Sequence, residues 1–394
     1  MTAKRTEPCE PLFNFDQPVA RENTDSDKWR RYQQEAERQG RDIIPMWVAD
    51  MDFVSPPAVL DALKERVEHG VFGYGKVSAG MTDAFCHWYA TQHNWQIDPK
   101  WIVWLPGLVG GLHAVARTFG EAGSAVMTHI PVYPPFLKVA ERTHKQLQAV
   151  PMREGPRWSL DLEAMQAQLK SNTRLFMFCN PHNPTGRVFS REELQQLSNF
   201  IVKNDLVVCS DEIHCDLVLD KSRRHIPLAS LNPEIAARTI TLLAPSKTFN
   251  IAGLACSAAV IPDHKLRLDF KHSIQGFMPD VNLLGFVAAE AAYRNGAVWR
   301  EQLVCYLAQN RNRLMRWAEG KQQVDLKFPE ATYLAWLDLR ATGQEKPAQW
   351  LLKETGVALS EGADFGLPGF ARLNFGCSLA QLDRALERLD QILN

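Results

Sequence analysis

The chain has 394 residues, of which 45% are hydrophobic and 23% are charged, and its net charge at pH 7 is −1. This length is sufficient for a large core and two domains, whereas the balanced charge excludes a global field that would attract nucleic acid or an anionic membrane. The longest apolar runs are too short to span a bilayer, and no apolar signal segment follows the basic residues at the start.

Strand-like and helix-like segments alternate through the first 290 residues, which predicts an α/β fold with a largely parallel sheet. One helix is predicted from Ser55 as its cap to a stop at Gly70, and another begins with a capping box of Ser190 and Glu193. A third follows the glycine-rich turn at 106–111. Strands are predicted at 101–105, 124–130, 173–180, 206–213 and 239–247.

The last hundred residues have a different pattern, with long amphipathic helices at 299–320 and 378–394 and isolated strands at 332–339 and 371–375. The final helix begins with a second capping pair, Ser378 and Gln381. We predict a smaller α+β domain at 290–394, joined by the N-terminal segment 1–50, and a large domain at 51–289.

The eight cysteines are scattered and form no Cys-x-x-Cys pair. Several lie in apolar stretches, where cysteine behaves as a small hydrophobic residue. We therefore predict reduced thiols in a cytoplasmic protein, without a metal site.

Four of the predicted strands end in unusual polar residues, and ligands of open parallel sheets bind beyond the carboxyl ends of the strands. The turn PGLVGG at 106–111 offers backbone N–H groups at a helix start, which suit a phosphate, although a plain glycine turn would look the same. The loop NPHNPTG at 180–186 has two Asn-Pro steps that fix the direction of an amide. An ordinary turn explains one such step better than two.

Asp211 and Lys247 each follow an apolar strand. An unpaired buried charge is costly, so Asp211 is either a helix cap, a surface strand end, or the counter-ion of a bound cation. Desolvation lowers the pKa of a lysine, and a neutral lysine attacks a carbonyl, whereas Lys247 alone would be interpreted as a surface residue. Together the four ends match pyridoxal 5′-phosphate (PLP), which combines a phosphate, a ring oxygen, a cationic nitrogen and an aldehyde.

The motifs NPHNPTG, SDEIH at 210–214 and SKTFNIAG at 246–253 resemble, in this order, those of fold-type-I PLP enzymes of the class I/II aminotransferase superfamily. The segments PMWVADMDF at 45–53, GVFGYGK at 70–76 and ARLNFGCS at 371–378 resemble more narrowly the cystathionine β-lyase branch of carbon–sulfur lyases. The resemblance implies the aspartate aminotransferase-like fold of PLP-dependent transferases, with a mostly parallel sheet flanked by helices in the large domain.

The resemblance also implies roles for individual residues. Lys247 would bind the cofactor aldehyde covalently and later move protons, and Asp211 would keep the ring nitrogen protonated. Asn183 would hydrogen-bond the ring oxygen, and Tyr133 would stack on the ring unless it is a core aromatic. The phosphate would be held by the backbone of Gly107, Leu108 and Val109, by the Ser246 hydroxyl, and by Tyr74 of the partner subunit in a homodimer.

Arg372 resembles the arginine that binds the α-carboxylate of an amino-acid substrate, and the apolar residues beside it disfavour a surface ion pair. Two positions depart from the transaminase pattern and resemble the lyase branch. Many transaminases have a tyrosine where this chain has His214, and an arginine where it has Ala255. His214 is either a second contact of the ring oxygen or a histidine satisfied at a strand end.

The sequence therefore predicts a PLP-dependent β-lyase that acts on L-cystathionine or related cysteine S-conjugates and releases a thiol, pyruvate and ammonia, with Lys247 as the general base. A class I/II aminotransferase is the alternative, because transamination shares every step up to the carbanion. A regulatory protein that binds a transcription factor is a second alternative. The sequence has neither a basic stripe nor a helix-turn-helix extension, so nucleic acid is not an expected partner.

Overall fold

A computed structural model describes residues 12–393 of the chain. The strands are β1 (Ile44–Pro45), β2 (Ile102–Leu105), β3 (Ala125–Ile130), β4 (Gln146–Pro151), β5 (Thr173–Cys179), β6 (Val207–Asp211), β7 (Thr239–Leu243), β8 (Ser257–Val260), β9 (Asp325–Leu326), β10 (Leu334–Asp338), β11 (Val357–Ala358), β12 (Ser360–Glu361) and β13 (Phe370–Asn374). The α-helices are α1 (Asp27–Arg30), α2 (Gln33–Gln39), α3 (Pro57–Glu68), α4 (Ala79–His93), α5 (Leu108–Thr118), α6 (Pro134–Arg142), α7 (Leu162–Gln168), α8 (Arg191–Lys203), α9 (Pro233–Ala236), α10 (His264–Ile274), α11 (Leu283–Asn295), α12 (Ala297–Ala318), α13 (Pro347–Thr355) and α14 (Leu379–Leu389).

The main sheet has seven strands in the order β2-β8-β7-β6-β5-β3-β4. Strands β3 to β7 pair in parallel, whereas β8 runs antiparallel to both β7 and β2. Strand β2 therefore points in the same direction as the parallel strands. This architecture confirms the predicted α/β fold, and it brings the carboxyl ends of β2, β5, β6 and β7 to one edge of the sheet.

Both faces of the main sheet are buried, as the side chains of β5 illustrate. Leu175 and Met177 pack into one apolar cluster, and Phe176 and Phe178 pack into another. All four are fully buried. A strand that is covered on both faces has a nearly continuous apolar run instead of an alternating one, which explains why this strand was recognisable from the sequence.

A second sheet, in the order β12-β13-β10-β9, is antiparallel. Trp336 of β10 stacks on Phe370 of β13, with ring centroids 5.3 Å apart. Strand β1 pairs in parallel with β11, so the N-terminal segment is hydrogen-bonded to the C-terminal part of the chain. Helix α11 runs through residue 290, where the predicted large domain ends.

Two predicted helix caps are present. Ser190 and Glu193 form the reciprocal capping box predicted at the start of α8. At α14 the Ser378 hydroxyl accepts a hydrogen bond from the N–H of Gln381. The Gln381 side chain donates to Asp52 instead of to the cap residue. The second pair is therefore a simple cap rather than a complete box.

The predicted cap at α3 is wrong. The cap position is Pro56, and no side chain caps this helix. Ser55 Oγ instead donates to the carbonyl of Asn250 at 3.0 Å. The Asn250 amide in turn donates to the carbonyls of Met51 and Phe53. A tertiary hydrogen bond to the loop that follows Lys247 has replaced the local one that the sequence pattern favours.

The seven cysteines in the described residues are unpaired, whereas Cys9 lies outside those residues. Five of the seven are buried, in accordance with their apolar sequence neighbours. Between residues 12 and 393, no helix combines the length and the apolar content needed to cross a membrane.

Asp52 is the centre of a buried ion cluster that ties the N-terminal segment to the rest of the chain. Lys28 Nζ lies 2.7 Å from one carboxylate oxygen and Arg21 Nη1 lies 2.6 Å from the other. The side chains of Trp29 and Gln381 also donate to this carboxylate. Burial alone would raise the pKa of Asp52, but the charges of Lys28 and Arg21 outweigh burial and hold the pKa below its ordinary value.

Lys28→Met is expected to destabilise the fold, because the buried Asp52 carboxylate would retain Arg21 as its remaining cation. Breaking a buried ion pair costs about 3–5 kcal/mol, and Arg21 reduces this loss, so we expect about 1–3 kcal/mol from urea unfolding. Lys64→Met is the matched control, since both members of the Lys64–Asp61 pair are 72% exposed. That change should cost less than about 1 kcal/mol. Equal losses in the two variants would contradict this interpretation.

Candidate active site

The carboxyl ends of β2, β5, β6 and β7 open onto a cavity of about 250 Å³, named here the inner compartment. Nine of the residues predicted from the sequence line it: Gly107, Leu108, Val109, Tyr133, Asn183, Asp211, His214, Ser246 and Lys247. A second cavity of about 360 Å³, the outer compartment, adjoins the first through Ala49, Tyr133 and Lys247, and Arg372 lies in its wall. Ten of the eleven predicted site residues therefore lie at one continuous cleft.

Lys247 lies in the turn after β7, four residues beyond the end of the strand at Leu243. It is half-buried, and its Nζ donates to the carbonyl of Ala49 at 2.5 Å. Desolvation lowers the pKa of Lys247 to about 8, although the negative charge of Asp50 opposes this shift. A much larger share of this amine is therefore neutral near pH 7 than of an ordinary lysine, as the sequence predicts.

Asp211 is the last residue of β6 and is buried. Its Oδ1 accepts a hydrogen bond from the N–H of Ile213 at 3.1 Å. Within the described residues, its carboxylate lies in no ion pair. Burial raises the pKa of Asp211 to about 7, while the Ile213 N–H and the charge of Lys247 act in the opposite direction. A cationic N–H group bound beside it would stabilise the ionised carboxylate.

Asn183 is oriented by Arg372, whose Nη1 donates to Asn183 Oδ1 at 3.1 Å. A guanidinium has donors only, so this contact fixes which end of the amide is the oxygen and leaves Nδ2 as the donor toward a ligand. The N–H of Tyr133 donates to the carbonyl of Asn183 at 3.1 Å. Asn180, the first asparagine of the motif, instead accepts from the N–H of Phe189. The two asparagines therefore have different roles in the loop.

Helix α5 begins at the inner compartment with Gly107 at its cap position and without a side-chain cap. The first N–H groups of a helix have no partner inside the helix, so those of Leu108 and Val109 are suited to an anion. Ser246 lines the same cavity. Ala255, the position of an arginine in many transaminases, also lies there and supplies no charge.

Arg372 lies on β13 and is 4% exposed, which excludes a surface ion pair. Its Nη2 donates to the carbonyl of Trp47 at 2.6 Å and to Ser360 Oγ at 3.3 Å, and its guanidinium lies 4.9 Å from the ring centroid of Phe365. Burial lowers the pKa of Arg372 to about 10, so it remains charged at neutral pH. In the part of the chain that the structure describes, it is paired with no carboxylate, which suits it to bind one from a ligand.

His214 is buried and neutral, because burial, and the nearby charges of Lys247 and Arg372, lower its pKa to about 3. Its ring packs edge-on against Tyr333, with centroids 6.0 Å apart. Among the described residues, Nδ1 of His214 has no hydrogen-bond partner. The ring therefore differs from a satisfied strand-end histidine, because one of its buried nitrogens has no hydrogen-bond partner among the described residues.

Tyr74 is the predicted site residue that does not line the cleft. It is fully exposed, and Val71 and Phe72 beside it are each more than half exposed. Val54 and Val67 add further exposed apolar surface.

A buried carboxylate next to the lysine turn was missed by the sequence interpretation. Asp216 accepts hydrogen bonds from Thr248 Oγ1 at 3.1 Å, from Trp88 Nε1 at 3.0 Å and from His93 Nε2 at 2.8 Å. Because Thr248 directly follows Lys247, this network fixes the turn from which the lysine extends into the cleft. The signal was a third acidic residue within the segment SDEIHCD, immediately after a buried strand.

The family model for aminotransferase class I and II matches residues 41–389. The cystathionine beta-lyase PatB of Bacillus subtilis (strain 168) is 39% identical to this chain over 391 residues, covering 97% of this chain and 100% of that protein. The crystal structure of OvoB matches with a TM-score of 0.93 and 42% identity over 97% of this chain and 99% of that one. The PLP-bound C-S lyase from Staphylococcus hominis matches with a TM-score of 0.89 and 31% identity over 97% and 98%.

The amine of Lys247 is expected to be half-neutral near pH 8 in the ligand-free protein. Competitive acetylation with trace acetic anhydride, followed by mass spectrometry of the peptides, measures the neutral fraction of each lysine against pH. Below pH 8 the reactivity of Lys247 should rise about tenfold per pH unit and then level off. Lys265 is the control, since its hydrogen bond to Asp269 raises its pKa above the ordinary value. Parallel titration of the two lysines would contradict the desolvation of Lys247.

Proposed function

The chain belongs to the aminotransferase class I and II family, and from this premise we propose that it is a PLP-dependent carbon–sulfur β-lyase. Its substrates are L-cystathionine or related cysteine S-conjugates, which it converts to a thiol, pyruvate and ammonia. The observation that carries the proposal is the presence at one cavity of a desolvated lysine, Lys247, and a buried carboxylate, Asp211, that forms no ion pair within the described residues. The names of the relatives favour a lyase over an aminotransferase.

The inner compartment has the groups that PLP requires. The Asp211 carboxylate suits a cationic ring nitrogen, the Asn183 amide suits a ring oxygen, and the N–H groups at the start of α5 with the Ser246 hydroxyl suit a phosphate. The lysine amine of Lys247 suits an aldehyde. When bound, PLP supplies an electron sink that makes the Cα–H bond of an amino acid acidic.

The reaction divides among the chain's own residues. Arg372 binds the substrate α-carboxylate through charge-assisted hydrogen bonds and thereby orients the Cα–H bond. Lys247 Nζ, in its neutral form, takes the proton from Cα as general base. Asp211 would stabilise positive charge on a cofactor nitrogen bound beside it. Tyr133 lines both compartments. Its side chain would shield the cofactor ring from water. The thiolate at Cβ then departs toward the outer compartment.

Incubation of the PLP-loaded protein with L-cystathionine, without an added keto acid, is expected to release pyruvate, ammonia and homocysteine continuously and in equal amounts. The Lys247→Ala variant should fold and release none of them, because the general base is lost. Product quantification and circular dichroism of the variant are the measurements. Turnover that yields no thiol and requires a keto acid would make the chain an aminotransferase.

We further propose a homodimer in which Tyr74 contacts the phosphate bound by the partner subunit. The exposed apolar residues beside Tyr74 support this proposal, because exposed apolar patches commonly mark protein interfaces. The expected mass in sedimentation experiments is that of two chains, and Tyr74→Phe should weaken PLP binding by about tenfold, the loss of one hydrogen bond to a charged group. A fully active, PLP-saturated monomer would exclude this role.

Besides the residue roles and the homodimer proposed above, two parts of the sequence interpretation stay predictions. A cytoplasmic location is one, and cell fractionation can test it. The division at residues 50 and 290 is the other, and limited proteolysis can test it.

A further inference from the structure

Charged residues line the outer compartment, and two of them, Arg31 and Asp364, have no role in the chemistry described above. Lys247 lines both compartments, and Arg372 lines the outer compartment. Arg31 and Asp364 lie in its wall as exposed residues at the surface of the protein. If the substrate's Cα and carboxylate are held by Lys247 and Arg372, as the proposed function requires, the thiol side of the substrate has the rest of this compartment to occupy.

Arg31 is held in place by an aromatic contact. Its guanidinium carbon lies 4.4 Å from the ring centroid of Trp47, and the ring of Tyr32 packs edge-on against the same indole. Within residues 12–393 no carboxylate forms an ion pair with Arg31. Stacking uses the flat face of a guanidinium and leaves its N–H edge free, so Arg31 retains the donors that bind a carboxylate in plane.

Trp47 connects this arginine to the catalytic cleft. Its ring supports Arg31, while its backbone carbonyl accepts the 2.6 Å hydrogen bond from Arg372. One residue thus positions two arginines of the outer compartment. Glu361 also lines this space, but the N–H groups of Gln349 and Gly362 already bind its carboxylate.

We propose that Arg31 is a specificity-determining residue that binds a carboxylate on the leaving thiol, so that the substrate class is thioethers of cysteine with an acid group on the second sulfur substituent. The proposal rests on the proposed function. Asp364, which has no ion-pair partner among the described residues, makes the same compartment tolerant of an ammonium group. Thiols that are themselves amino acids therefore fit as well.

Two substrates that differ only in charge isolate this contact: S-(2-carboxyethyl)-L-cysteine and its carboxamide. In both, the Cβ–S bond breaks, the sulfur leaves with the electron pair and is protonated, and water converts the remainder to pyruvate and ammonia. The PLP-loaded wild-type enzyme should have a higher kcat/KM for the acid. In Arg31→Gln the acid-to-amide ratio of kcat/KM should fall about tenfold, as for a charge pair that remains partly in water. Arg31→Lys should recover part of the ratio.

Two further variants test whether the effect on the acid-to-amide ratio is specific to Arg31. Arg372→Gln should lower kcat/KM for both substrates and keep their ratio, because each has the same α-carboxylate. Arg38→Gln removes an exposed arginine of the same segment, which pairs with Glu35, and should change neither value. An unchanged ratio in Arg31→Gln, with both substrates cleaved, would overturn the role of Arg31 and leave the lyase function intact. Cleavage of neither substrate by wild type would overturn the proposed function as well.

Discussion

The cost of keeping charge out of water is the constraint on which this site depends. Asp211, Lys247 and Arg372 are desolvated at one edge of the sheet, and backbone groups and neutral side chains, rather than opposite charges, hold each of them. Burial therefore raises the pKa of Asp211 and lowers those of Lys247 and Arg372, which in each case favours the uncharged form. PLP, with its cationic nitrogen and aldehyde, and the carboxylate of the amino-acid substrate together satisfy all three groups. Part of their binding free energy therefore comes from offsetting the cost of desolvation in the free protein.

The chain also buries charge in a second way, at Asp52. There Lys28 and Arg21 form ion pairs with both oxygens of the Asp52 carboxylate within the protein. The contrast separates a structural cluster from the candidate site. Asp52 has its cations within the protein, whereas Asp211, Lys247 and Arg372 form no ion pair within residues 12–393. Asp216 belongs with the structural type, because Trp88 and Thr248 already donate to it.

The sequence predicted those parts of the site that follow directly from strand pattern. Asp211 and Lys247 were recognisable because an apolar run ends beside them, and the position of Arg372 followed from the resemblance. The backbone carbonyls of Trp47 and Ala49 were not recognisable as contacts, because a carbonyl has no residue identity and its partners are about 200 to 325 residues away. The same distance problem explains Ser55, where the local capping signal was real but a tertiary contact was stronger. Strand β8 was missed because it has only four residues and lies within a larger apolar run. Neither the strand nor its direction is apparent from such a pattern.

That single reversed strand sets the dimensions of the cleft. Strand β8 begins at the edge where its neighbours β2 and β7 end, and Ser257, its first residue, donates to the last carbonyl of β2. The ends of β2 and β7, which lead into helix α5 and the lysine turn, are therefore two strand spacings apart, roughly 9–10 Å. This separation is set by the backbone hydrogen bonds between neighbouring strands and not by the length of any side chain. Sequence changes in the surrounding loops can alter what lines the cleft, but the spacing of these two strand ends is fixed by the sheet.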